Sequence, residues 1–127
     1  MHCKIILTLC ALFLPHLALS HEMTPANPVW KPAFMPGLVS TQMELFNKRS
    51  DGVVFYELGV FTKDFKPVPF VSSYRMIKLD YLGHLKFEVF VNERDAQHVE
   101  FICTRSKLRS DNSAATLVSS KICSRFK

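Results

Sequence analysis

Three groups of residues carry most of the chemical scope of this chain: one histidine, two cysteines and a set of cations near the end. His21 follows residues 1–20, which open with Lys4, run almost unbroken in apolar side chains from Ile5 to Leu14 and close on the small residues Ala18 and Ser20. A basic start, a short apolar core and a small-residue end make the pattern of an export signal. Cleavage after Ser20 makes His21 the mature N-terminus, where its α-amino nitrogen and imidazole form a chelating pair favoured by copper(II). Such a site needs at least one more ligand. His84 and His98 are the candidates, with Met23 and Met35 in reserve, and none of them lies at a diagnostic spacing. The principal expectation is no cofactor, and copper is the alternative.

Cys3 and Cys10 leave with the leader, so Cys103 and Cys123 are the pair that remains in an oxidising compartment. Two cysteines there predict one disulfide. Closing a loop of about twenty residues stabilises a fold by roughly 3 kcal/mol in the chain-entropy model. Two thiols this far apart lack the paired spacing of zinc ligands. Other catalytic chemistry finds little support: no glycine-framed serine elbow is present, and the four glycines are not clustered into a phosphate-binding loop. The acids Glu57, Asp80, Glu88, Glu93 and Glu100 are scattered where strands need solvated charge. The expectation is a protein that is not an enzyme.

The cations are unevenly placed. Beyond Cys103 stand Arg105, Lys107, Arg109, Lys121, Arg125 and Lys127 against the lone Asp111, although the formal charge of the whole chain is only +5. Two readings stand: peripheral contact with an anionic surface, or a hairpin kept soluble by its charge. Specific nucleic-acid recognition is not expected.

The apolar core of the leader is roughly ten residues, where a spanning helix needs about twenty. Lipidation at Cys10 would want a small residue before it, and Leu9 is large. Loss of the leader leaves about 107 of 127 residues, the size of one domain. At 48% hydrophobic and 12% aromatic content the chain is too rich to stay disordered.

The elements that must position these residues read as strands. Residues 21–38 hold four of the seven prolines and form an arm rather than a helix. Trp30, Phe34 and Met35 are expected to lay this arm across the body. Val39, Thr41, Met43 and Leu45 then alternate as the inward face of a strand. Asp51-Gly52, in a polar run, signals a hairpin to a second strand with Val54, Tyr56, Leu58 and Val60 inward. Residues 64–69 break the pattern with two prolines. Residues 74–81 give a strand with Ile77 and Leu79 inward, and Leu85, Phe87, Val89 and Val91 line the next. Phe90 hints at cover on its other side. Residues 97–104 follow, with Val99, Phe101 and Cys103 assigned to one inward face. Residues 105–114 read as a polar loop, and residues 116–124 as a closing strand that pairs with the cysteine-bearing one. Six or seven short strands with regular turn signals indicate an all-β, immunoglobulin-like β-sandwich.

Four segments, Phe46-Asn47-Lys48-Arg49, Val60-Phe61-Thr62-Lys63-Asp64, Pro67-Val68-Pro69-Phe70 and Ile77-Lys78-Leu79-Asp80-Tyr81, resemble the N-terminal domain of periplasmic pilus-assembly chaperones. The resemblance spans about residues 39–123. It implies a sandwich that caps an incomplete subunit by donating a strand, and in some members a disulfide between the last two strands, matched here by Cys103 and Cys123. Those chaperones also carry a second domain and two basic residues that hold the subunit's terminal carboxylate. Lys31 and Lys121 are the nearest counterparts, without a surrounding motif. The stretches HEMTP, ICTRSKL and SSKICS are also similar to small exported proteins of marine bacterial viruses.

The sequence thus predicts a signal peptide over 1–20, an arm over 21–38 and a sandwich over 39–127. The product would be periplasmic or secreted and would bind another exported or envelope protein through a strand edge or through Trp30, Lys31, Phe34, Arg105, Lys107, Arg109 and Lys121. It leaves the oligomeric state open.

Overall fold

Alternation between apolar and polar residues is what forces this chain into a sandwich, because each strand has one face that water rejects. The computed structural model describes residues 21–49, 53–107 and 120–127. Within them run β1 (His21–Thr24), β2 (Lys31–Pro32), β3 (Leu38–Asn47), β4 (Val54–Thr62), β5 (Met76–Leu79), β6 (His84–Asn92), α1 (Glu93–Ala96), β7 (Val99–Lys107) and β8 (Lys121–Arg125). One sheet has β3 at its centre, with β6 on one side and β1 and β2 end to end on the other; the second has the order β5-β4-β7-β8. Every pairing is antiparallel.

The two inner faces meet in one core. Thr41, Met43 and Leu45 of β3 and Phe87, Val89 and Val91 of β6 face Tyr56, Leu58 and Val60 of β4, Ile77 of β5 and Ile102 of β7, all buried. Each large apolar side chain removed from water contributes about 1.5–3 kcal/mol. The inward residues of β3 to β6 are those the alternation predicts. Phe90 is half-buried and its backbone bridges to Val71, so the outer face of β6 is partly covered as expected. Asn92, whose Oδ1 accepts from the N–H of Arg94 at 3.2 Å, caps the short α1 that carries the chain from one sheet to the other.

Four expectations are corrected. The Asp51-Gly52 hairpin is not one: residues 50–52 lie outside the described residues, but β3 and β4, which they join, belong to different sheets. A turn signal is local and does not say which strand comes next to which.

Val99 faces the core as expected, but beyond it the inward face of β7 is inverted. Phe61 pairs with Phe101 and Thr62 with Val99, so Glu100 is an extra residue, a bulge that reverses the alternation. Ile102, Thr104 and Ser106 therefore point inward opposite Val60, Leu58 and Tyr56, while Phe101, Cys103 and Arg105 take the outer face opposite Phe61, Gly59 and Glu57.

Third, Arg105 and Lys107 extend β7 rather than opening a loop; residues 108–119 lie outside the described residues.

Last, the proline-rich segment supplies β1 and β2. Trp30 does lie on the body, stacked on Phe126 with ring centroids 4.5 Å apart. Phe34, at 91% exposure, and Met35 do not. The N–H of Ala33 donates to the carbonyl of Leu38, closing a turn through Gly37 (φ 82°) that projects both side chains outward.

Candidate functional site

The second sheet ends in β8, and the last strand of a sheet presents backbone groups to whatever lies beside it. Register decides which groups these are. Ser106 N–H donates to Ser120 C=O and Phe126 N–H to Glu100 C=O, so Ser120, Ile122, Ser124 and Phe126 turn their backbone groups toward β7. Lys121, Cys123 and Arg125 turn theirs away. Arg125 is already occupied, its N–H donating to Ala26 C=O at 2.9 Å and its carbonyl accepting from Asn27 Nδ2 at 2.9 Å. Among the described residues no strand pairs with the outer side of Lys121 and Cys123. β1, from the other sheet, lies against the same rim without pairing to β8.

The side chains of Lys121, Cys123 and Arg125 lie on the outer face of the sheet. Cys123 stands directly opposite Cys103 with Cα atoms 4.1 Å apart, and their sulfurs are bonded. The predicted disulfide is therefore present, on the outer face rather than in the core, and it ties the edge strand to its neighbour.

A groove of about 390 Å³ opens on this face. β4 forms its floor through Leu58, Gly59 and Val60, Phe61, Pro67, Val68 and Phe70 form an apolar wall, and Cys103, Arg105 and Lys121 form the opposite one. Gly59 leaves room here: a Cβ would come within 2.6 Å of the Phe61 ring, which lies across that position and would have to shift. The loop after β4 folds back, with Val68 N–H donating to Val60 C=O at 2.8 Å and Phe65 held at φ 58°, a left-handed conformation that bulky residues rarely adopt. Phe65 thereby stacks on Phe101, centroids 4.7 Å apart and planes within 5°. Lys121 Nζ sits 5.0 Å from the Phe61 centroid and 4.7 Å from that of Phe65, within the range of cation–π attraction.

Charge on this face is only partly balanced. Glu57 binds Lys107 and also contacts Arg105 at 3.7 Å. Its hydrogen bond from Lys107 holds its carboxyl below the usual carboxylate range against the opposing effect of burial, and the charges of Lys107 and Arg105 lower it further. Arg125 pairs with Glu100 at 2.8 Å. Lys121 has no carboxylate partner among the described residues.

Of the predicted binding residues, Arg105, Lys107 and Lys121 come together on this face. Arg109 lies outside the described residues. Trp30, Lys31 and Phe34 do not join them: Trp30 packs at Phe126, five residues along from Lys121, or about 16 Å of strand.

The metal candidates do not converge either. His21 is buried, with Nε2 3.1 Å from Thr104 Oγ1 and Nδ1 3.0 Å from Ser120 Oγ. Burial holds its imidazole below the ordinary pKa, outweighing a hydrogen bond from the ring to the Thr104 backbone that raises it, and nearby Arg49 lowers it further. His84 lies on the opposite face of the first sheet, stacked on Phe46 and 3.1 Å from Glu44 Oε1, and His98 is exposed beyond α1. No cluster of three or more His, Cys, Asp or Glu side chains suited to a metal ion occurs among the described residues. His21 alternates with Met23 on the inward face of β1, and a ring placed there is enclosed by β7 and β8.

Sequence reading did not pick Gly59, Phe61, Phe65 or Phe101 as site residues. A lone glycine inside a strand pattern is a sign of close approach, and Gly59 carried that sign.

No family model and no curated protein matches the sequence. Solved structures do match in fold. The chain is similar to the SafB chaperone, solved in complex with the SafA pilin of Salmonella enterica, at 13% identity and a TM-score of 0.62 over 84% of this chain and 52% of that one. It is also similar to the E. coli chaperone DraB, at 17% identity and a TM-score of 0.55 over 85% of this chain and 54% of that one. This chain therefore spans about half the length of the chaperone chains it matches. No helix among the described residues is long and apolar enough to cross a membrane. The chain has the immunoglobulin-like fold of a pilus-chaperone domain.

Proposed function

We propose that this is an exported, non-enzymatic module that binds another exported or envelope protein by adding an extended segment of that partner to the β8 edge. The observation that carries the reading is the outward N–H and C=O of Lys121 and Cys123 on a terminal strand held in register by the Cys103–Cys123 bond. Main-chain hydrogen bonds to such an edge supply affinity, and side chains beside it supply selectivity. The fold shared with SafB and DraB supports this, since the SafB structure contains a bound pilin. The export-signal pattern read in residues 1–20 and the disulfide together support a product in the periplasm or outside the cell.

Site-specific photocrosslinking in the exporting cell tests the proposal. A crosslinking residue in place of Lys121 should give a discrete adduct, and the same residue in place of Lys78, exposed on β5 at the other edge of the sheet, should not. Equal adducts from both positions, or none from Lys121, would reject it.

A further inference from the structure

We infer that the outer face of the second sheet rests on an anionic phospholipid surface, its cations against the headgroups and the Phe65 ring among them. This goes beyond edge binding and does not compete with it. Side chains stand perpendicular to a sheet while its backbone hydrogen bonds lie in its plane, so a bilayer against this face leaves the outward groups of β8 open.

The two outer faces of the sandwich differ in charge. Register places Lys78, Arg105, Lys107, Lys121 and Arg125 on the outer face of the second sheet, with Glu57 among them and Glu100 paired to Arg125. The outer face of the first sheet carries Glu22, Glu44 and Glu88 with Lys31 and Lys86. Five cations against two acids thus stand on one side, and two cations against three acids on the other. An anionic surface attracts the first face and not the second, which orients the molecule as well as holding it. The fold gathers the cations of β7 and β8 onto one side and adds Lys78, which lies far from them in the sequence.

Charge alone would suit any polyanion. Exposed apolar side chains on the same face narrow the choice to a bilayer: Phe65 is 50% exposed and Met76, beside Lys78 on β5, is 48% exposed. Phe65 stands between Lys63 and Lys66 in the sequence and stacks on Phe101 from a left-handed backbone, φ 58°. A half-exposed phenylalanine held at a position that bulky residues rarely adopt points to a use for the ring. Aromatic and apolar side chains bordered by lysine and arginine suit the boundary between headgroups and acyl chains. A polysaccharide or other soluble polyanion offers no apolar layer to receive them.

The test is cosedimentation of the full mature protein with phosphatidylcholine vesicles, with and without about 30% phosphatidylglycerol. Binding should require the phosphatidylglycerol and weaken as salt rises. Lys78→Gln and Lys121→Gln should each weaken it about fivefold, whereas Lys31→Gln and Lys86→Gln on the other face should leave it unchanged. Phe65→Asn, whose side chain accepts the left-handed backbone, should weaken it several-fold.

Equal retention on both kinds of vesicle, or retention on neither, would overturn the inference. The same loss from Lys86→Gln as from Lys78→Gln would overturn the assignment to this face, and undiminished binding by Phe65→Asn would overturn entry of the ring. Retention on neither vesicle together with a discrete protein adduct from a crosslinking residue at Lys78 would assign the face to a protein partner instead. Loss of the Lys121 adduct with vesicle binding intact would reject edge binding alone and leave this inference standing.

Discussion

The hydroxyl of Tyr56 donates to Oδ1 of Asn47 at 3.0 Å in the closed end of the sandwich, and the same asparagine donates Nδ2 to the carbonyls of Leu79 and Asp80 at 3.2 and 3.0 Å. Asn47 ends β3 in one sheet, whereas Tyr56 and Leu79 belong to the other, so one fully buried amide joins the layers. Its Oδ1 also accepts from Arg49 N–H at 3.0 Å. Asn47→Ala would leave several buried polar groups unpaired, each costing about 1–3 kcal/mol. The expected loss is about 2–4 kcal/mol in urea unfolding, and Tyr56→Phe, which removes the bond to Asn47 and keeps the ring, should cost about 1 kcal/mol. An Asn47→Ala variant as stable as the parent would mean that the amide does not hold the layers together.

The Cys103–Cys123 bond closes a 20-residue separation across β7 and β8. Replacing both cysteines with serine should lower stability by about 3 kcal/mol, because the unfolded chain regains the freedom that the link removes. Denaturation of the oxidised parent and the double variant, compared in the same buffer, reads this directly. The amides of β8 should also exchange faster in the variant, since the edge strand loses its covalent tie.

Acid should loosen the rim where β1 meets β8. His21 is held neutral by burial, so its folded pKa lies below the ordinary 6.5. The unfolded chain then binds a proton that the folded chain does not, and stability rises with pH through that interval. Stability is full above about pH 6.5 and falls as the pH drops below it toward the folded pKa. Arg49, Thr104, Ser120 and Tyr56 lie at the ring among the described residues, and the charge of Arg49 opposes its protonation. Urea unfolding between pH 7.5 and 5 should show this slope in the parent and a shallower one in His21→Gln. Parallel slopes would assign the pH dependence to other groups.

Much of the sandwich was legible because β3, β4, β5 and β6 alternate without interruption, so Met43, Tyr56, Ile77 and Val89 could be placed inward from spacing alone. The partner of each strand was not, since Asp51-Gly52 marks a turn equally well within a sheet or between sheets. Cys103 was assigned to the core because a single extra residue, Glu100, reverses the alternation, and a bulge leaves no local trace in β-branched and aromatic content. His21 drew attention as a terminal ligand, yet its partners Thr104 and Ser120 lie 83 and 99 residues away in sequence. The cations were seen as a group, but the seat of Lys121 depends on Phe61 and Phe65, which reach it only through the register of three strands and a folded-back loop.

The most direct test of the edge-binding account is a comparison of Lys121→Pro with Lys121→Ala. Both remove the ammonium, but only proline also removes the outward N–H, and an edge position tolerates proline because that N–H serves no bond within the sheet. With the two variants matched in thermal stability, partner capture in the exporting cell should persist in Lys121→Ala, at a reduced level, and be lost in Lys121→Pro. Equal capture by both would show that no partner strand pairs with β8 and would contradict the account.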